Sequence, residues 1–226
     1  MEKDYSLMKI RSTVELEDYL DKEMSWRKKE MSLAISNYLS AKERTKDHYS
    51  RVAILTIYSH WEGFIKKCAE AYLIYLNSQS IQCKDININF LSSTLMKETE
   101  NNTSIKKISN RKIVIDFLAG DLTKKFSADI SQIDADSNLK IEILEGICYL
   151  VGIDNSAFIQ KKVWVDERLL AYRNKIAHGE RILDSSIGFN IKELKDEIQN
   201  LLELFKNNIL NAVSTKNYLK QGPIDT

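Results

Sequence analysis

Helix breakers are almost absent from this chain, with one proline and seven glycines in 226 residues. Sandwiches and barrels need frequent tight turns, and most tight turns use one of those two residues, so the shortage favours long helices. From Thr13 to about Arg44 neither residue occurs, and Leu16, Leu20, Met24, Met31, Ile35, Tyr38 and Leu39 recur at helical spacing among charged residues. From about Asp47 to Leu76, Ile54, Tyr58, Trp61, Ile65, Cys68, Tyr72 and Tyr75 follow one another at alternating steps of four and three. Such a stripe must pack against another helix, and its aromatic content is assigned to the core rather than to base stacking.

Residues 77–108 read as loops around one short helix, with polar clusters at Asn77-Ser78-Gln79-Ser80 and Asn101-Asn102-Thr103-Ser104 flanking the apolar segment Ile86 to Met96. Arg111 to Leu122 and Leu139 to Val151 are two further helical candidates, separated by the linker and cap chemistry of Ser127-Ala128-Asp129 and Asp134-Ala135-Asp136-Ser137. Asp166 is a good N-cap for a helix through Leu169, Leu170, Tyr172, Arg173 and Ile176, which Gly179 is placed to end. Ile191 to Val213 sets Leu194, Ile198, Leu201, Leu202, Phe205, Ile209 and Val213 on one face. Beyond Lys216 the tail with Gly222-Pro223 is expected to fray. The expected fold is an all-α antiparallel helical bundle in a single domain, 1–226. Its core helices are about 13–44, 47–76, 166–178 and 191–213, with a partly irregular helical insertion at about 77–160.

The composition, 43% hydrophobic and 29% charged, suggests neither disorder nor membrane residence. A net charge of +1 gives no basic excess, so any contact with RNA must be local. The run containing Lys106, Lys107, Arg111 and Lys112 is read as a solvated face before it is read as an RNA contact. Cys68, Cys83 and Cys148 lack the spacing of a zinc or redox site and are expected as buried thiols in a reducing cytoplasm, with no metal and no cofactor. No apolar run is long enough to span a bilayer, and Glu2, Lys3 and Asp4 do not begin a signal peptide, so a cytoplasmic location is expected.

The candidate chemistry centres on Arg173 and His178 in Arg173-Asn174-Lys175-Ile176-Ala177-His178. Five residues along a straight helix rotate the second side chain about 140° from the first, so the pair shares a site only if the helix ends at the histidine. Gly179, in a left-handed conformation, supplies that ending and turns the ring back toward the arginine's side. The orphan carbonyls of a helix C-terminus favour a protonated imidazole, which would then titrate near physiological pH. Such a pair suits cleavage of RNA by its own 2′-hydroxyl: the histidine moves the proton and the guanidinium neutralises the phosphoryl oxygens, with no metal required. One copy of each residue is thin for both jobs, so the mechanism carries the expectation of a two-fold dimer. The plain alternative is a surface arginine and a helix-capping histidine.

The segment from Asp166 to Glu180 resembles the R-x4-6-H signature of the HEPN superfamily. Asn174 after the arginine, the Ile176-Ala177-His178-Gly179-Glu180 ending, Ser59-His60-Trp61-Glu62-Gly63-Phe64 and Trp26-Arg27-Lys28-Lys29-Glu30 are similar to an MAE-like branch of it. The resemblance implies a HEPN-type helical bundle, dimerising through its motif helices. It also implies metal-independent endonuclease activity on an RNA substrate, with a role as a toxin or an anti-phage defence effector and an antitoxin or defence-system partner. Arg173 and His178 carry over as catalytic and Asn174 as a polar residue orienting them. Some members have lost catalysis, and the alternative function is a non-catalytic module that binds RNA or a partner protein. In one toxin group a tyrosine two positions after the histidine is modified by a partner nucleotidyltransferase; that position is Glu180 here. Glu62 reads either as a support for Arg173 or His178 or as an exposed, helix-capping carboxylate. Trp61 and Gly63 are read as packing residues, the glycine allowing close helix approach, and His60 and His48 are left outside the site.

Overall fold

A computed structural model describes residues 9–98, 114–116, 119–120, 122–134 and 138–220. The Asn101–Ser104 cluster, the basic run at 106–112, most of the expected 111–122 helix, residues 135–137 and the Gly222-Pro223 tail lie outside them. Among the described residues the regular structure is helical, and the only strand-like pairings are two isolated bridges, Gln82 with Lys125 and Ile86 with Leu219. No described helix is long and apolar enough to cross a membrane.

Helix α1 (Thr13–Ser40) starts at a capping box, in which Ser12 accepts from the Glu15 amide while the Glu15 carboxylate accepts from the Ser12 amide. It stops at Ser40, short of the expected Arg44, and Leu39 is exposed rather than in the stripe. Two residues later α2 begins and runs as one helix from Glu43 to Ser78. Lys46 closes the hairpin, donating to the Tyr38 carbonyl at 2.8 Å with its ammonium 3.9 Å from the Tyr38 ring centre. All seven α2 stripe residues named from the sequence are buried.

After α2 come α3 (Ile88–Glu98), α4 (Ile141–Val151) and the short α5 (Ser156–Ile159). The motif helix α6 follows, π-helical over Val163–Leu170 and α-helical over Ala171–Ala177, and α7 (Ile191–Ser214) closes the bundle. Its seven predicted core residues are all buried, and Asn190 caps its first turn. Lys28 with Glu203 and Lys206 with Asp21 run α7 antiparallel to α1.

The expected N-cap at Asp166 is corrected by the structure. Helix α6 starts before it, and the Ala171 amide reaches back five residues to the Asp166 carbonyl, making a wide π turn. The Asp166 side chain instead accepts from the Ile141 amide at 2.9 Å, so it caps α4, whose own N-cap residue Lys140 supplies no side-chain bond. Trp61 ties the same junction to α2, its indole N–H donating to the Leu139 carbonyl at 2.9 Å.

The α1 stripe has a gap between Met24 and Met31, and the structure fills it with a buried Arg27. Its Nη2 donates to Glu23 at 2.9 Å, its Nη1 lies 3.4 Å from His60 Nδ1, and its guanidinium carbon is 4.4 Å from the centre of Trp26. A Cβ on Gly63 would stand 2.9 Å from that Nη1, so the glycine makes room for the arginine rather than for a helix backbone. The His60 ring meets Trp26 edge-on at 5.1 Å, and its Nε2 is 3.1 Å from a Glu30 carboxylate oxygen, within ion-pair reach but not aligned as a hydrogen bond.

Burial first, then the Arg27 charge, hold the His60 imidazole below its ordinary 6.5, against the opposing pull of Glu30. Folded His60 therefore binds fewer protons than unfolded His60, and its contribution to stability is present above pH 6.5 and lost as pH falls through the lowered value. Urea unfolding below pH 6.5 is expected to show stability falling with pH, and His60→Gln is expected to flatten that slope. An unchanged slope in His60→Gln would assign the titration to other groups.

Candidate functional site

Arg173 sits three residues into the α-helical part of α6, half-buried against α2. Its Nη1 donates to Asn174 Oδ1 at 2.8 Å, and its guanidinium carbon lies 4.4 Å from the ring centre of Tyr58. Tyr58 is buried, and its hydroxyl donates to the Glu62 carboxylate one turn further along α2. Burial and the hydrogen bond to Glu62 push the phenol well above its ordinary value, so the ring stays neutral and donates. A guanidinium over a half-desolvated aromatic face is worth about 1 kcal/mol. Together with the Asn174 hydrogen bond it offsets the roughly 1.5–2 kcal/mol of rotamer freedom that an arginine loses when held in one place.

The structure thus joins three of the four sequence-predicted site residues. Asn174 touches Arg173 directly, and Glu62 supports it through Tyr58. Tyr58 fits the core stripe by its spacing, which hides its part in the site from the sequence. The available signal was its hydroxyl, which needs a partner when buried, with Glu62 four residues along on the same helix face.

His178 stands outside these contacts, with its ring exposed at the end of α6. The helix stops there as expected: Gly179 has φ +80°, its amide donates to the Ile176 carbonyl at 3.0 Å, and the Glu180 amide donates to the Lys175 carbonyl at 2.9 Å. This pair of bonds is the Schellman arrangement, and it needs the left-handed conformation glycine supplies. Two bonds then pin the following segment onto α2. Arg51 Nη1 donates to the Ile182 carbonyl at 2.8 Å, and Asp47 accepts from the Asp184 amide at 2.8 Å. Tyr172 reinforces the segment by donating to the Ser186 carbonyl at 3.2 Å and meeting Phe189 edge-on at 5.0 Å.

The three cysteines are free and buried. Burial raises the Cys148 thiol to about 12 and pushes Cys68 up further, so neither is a thiolate nucleophile. Among the described residues no three His, Cys, Asp or Glu side chains gather as a metal site.

The RiboL-PSP-HEPN family model matches residues 22–211, from within α1 through the Arg173–His178 motif and into α7. The chain belongs to this HEPN family. Comparison with curated proteins and with solved structures gives no significant match. The family match carries the HEPN assignment and not the finer MAE-like branch. HEPN membership supports an RNA-related role. Two of the HEPN domain's resembling segments, Trp26–Glu30 and Ser59–Phe64, meet across the α1–α2 seam through Trp26, Arg27, Glu30 and His60. A double-mutant cycle between Tyr58→Leu and Arg173→Ala, read by urea unfolding, is expected to give a coupling of about 1 kcal/mol. Additive effects would remove Tyr58 from the site.

Proposed function

We propose that this HEPN protein is a metal-independent RNA endonuclease, with Arg173 and His178 acting in a composite site formed by two copies of the chain. The observation that carries the reading is an arginine held against α2 and an exposed histidine five residues on, at the end of the same helix. Arg173 is held against Tyr58 and Asn174, while the turn bearing His178 is closed by Gly179 and the segment after it is pinned to α2 by Arg51 through the Ile182 carbonyl.

In the reaction the 2′-oxygen attacks the adjacent phosphorus and the 5′-oxygen leaves. A neutral imidazole accepts the 2′-hydroxyl proton, and an imidazolium returns one to the 5′-oxygen. The products are a 2′,3′-cyclic phosphate and a 5′-hydroxyl end, and no water is consumed in this step. The guanidinium hydrogen-bonds to the non-bridging oxygens as charge gathers on them. A two-fold pairing through the motif helices gives one histidine for each proton and two guanidiniums for the phosphate. An activity of this kind needs restraint in its host, which fits a toxin or anti-phage effector controlled by an antitoxin or defence-system partner.

Purified wild type is expected to cut cellular RNA in the presence of EDTA and to leave 5′-hydroxyl ends. Arg173→Ala and His178→Ala are each expected to lose at least about 100-fold in rate, the contribution usual for one positioned proton-transfer or charge-stabilising group. Cutting by either variant at the wild-type rate sinks the assignment. RNA binding without cutting by wild type moves it to a non-catalytic RNA-binding module.

A further inference from the structure

Beside the exposed end of α6 a cleft of about 450 Å³ opens between the first turns of α2 and the segment after His178. Arg44, His48 and Arg51 line one wall, and Glu180 and Arg181 line the other. Arg44, His48 and Arg51 are spaced by four and three residues, so one helix face presents all of them. Arg44, His48 and Arg181 are exposed, whereas Arg51 is half-buried and holds the opposite wall through the Ile182 carbonyl. Asp47, also in the wall, already accepts from the Asp184 amide, which bonds the two sides of the cleft together.

The cleft gathers its positive charge into one place. Three guanidiniums face two carboxylates in a small volume, on a chain whose net charge is only +1. Guanidinium groups bind phosphate oxygens in pairs, and a cleft with prebuilt walls loses little entropy on doing so. Its described lining side chains are arginine, histidine, carboxylate and the aliphatic Ile176, with no Phe, Tyr or Trp among them on which a base would stack, which favours a grip on the backbone. Arg181 follows His178 by three residues, at most about 10 Å of extended chain, so the cleft begins within a nucleotide or two of the histidine.

We propose that this cleft holds the sugar-phosphate backbone of single-stranded RNA next to the phosphate being cut, with Arg44 and Arg181 as its principal contacts. Arg51 keeps the walls in place and His48 adds a donor at the mouth. This subsite rests on the RNA-cleavage reading. It explains how a nearly neutral protein grips a polyanion: the contact is local and sits where the strand must pass to reach His178. Because the grip is on the backbone, choice of sequence belongs elsewhere.

The test uses the full chain carrying His178→Ala, so that RNA is bound and not cut, with a short fluorescein-labelled single-stranded RNA followed by anisotropy over a range of salt. Adding Arg44→Gln and Arg181→Gln is expected to weaken binding about tenfold at physiological salt and to lower the slope of log affinity against log salt by about 1.4, the effect of losing two phosphate contacts. Lys84→Gln with Lys220→Gln removes the same charge near the far end of α2 and is expected to change neither quantity. If the parent binds RNA and the cleft variant binds it equally well, or the control loses as much, the cleft proposal is overturned and the RNA reading stands. If the parent binds no RNA at micromolar concentration, both fall.

Discussion

The buried guanidinium of Arg27, seated opposite Gly63 in the α1–α2 seam, sets the register on which the rest of the structure depends. Successive residues of an α-helix point about 100° apart, so once that seam is fixed the neighbouring side chains of α2 are aimed as well. His60 and Gly63 face α1. Trp61 reaches Leu139 ahead of α4, and Tyr58, held by Glu62, carries Arg173 of α6. Within the six residues from Tyr58 to Gly63, four thus face three different parts of the bundle. A one-residue slip of α2 against α1 would put a side chain against Arg27 and take Tyr58 from under Arg173.

A charge in the core is a poor source of net stability, because desolvating a guanidinium costs several kcal/mol and one carboxylate returns only part of it. Arg27 reduces the cost by placing its guanidinium over the Trp26 ring and by pairing with Glu23, which retains some contact with water. What the group supplies is discrimination. An apolar side chain packs against α2 in several alignments, whereas this one has donors that must find Glu23 and His60 together. The bulk of the binding between α1, α2 and α7 comes from their apolar stripes, whose burial is the dominant favourable term in folding.

The stripes of α2 and α7 were legible in the sequence because periodic apolar residues report burial directly, and the end of α6 was legible because Gly179 has one clear use at that point. The rest depended on contacts between segments far apart in sequence. Arg27 is invisible to a hydrophobic pattern although it occupies a core position. Asp166 has the chemistry of a cap and is one, but for a helix that starts 25 residues earlier. Tyr58 matches the stripe so well that its hydroxyl, the part that bears on the site, went unread. Nor does periodicity announce the π turn of Val163–Leu170, since it shifts the phase of the helix just before Arg173. The segments that carried the family resemblance are those in which this non-local chemistry is concentrated, at Trp26–Glu30, Ser59–Phe64 and Arg173–His178.

The proposed composite site needs two chains, each giving an arginine held against Tyr58 and a histidine at the glycine-closed end of α6. The most direct measurement is the rate of RNA cleavage as the protein is diluted, with light scattering on the same samples. A composite site predicts that activity per chain falls as the dimer dissociates, tracking the loss of dimer. Constant activity per chain in a sample that scatters as a strict monomer would contradict the account.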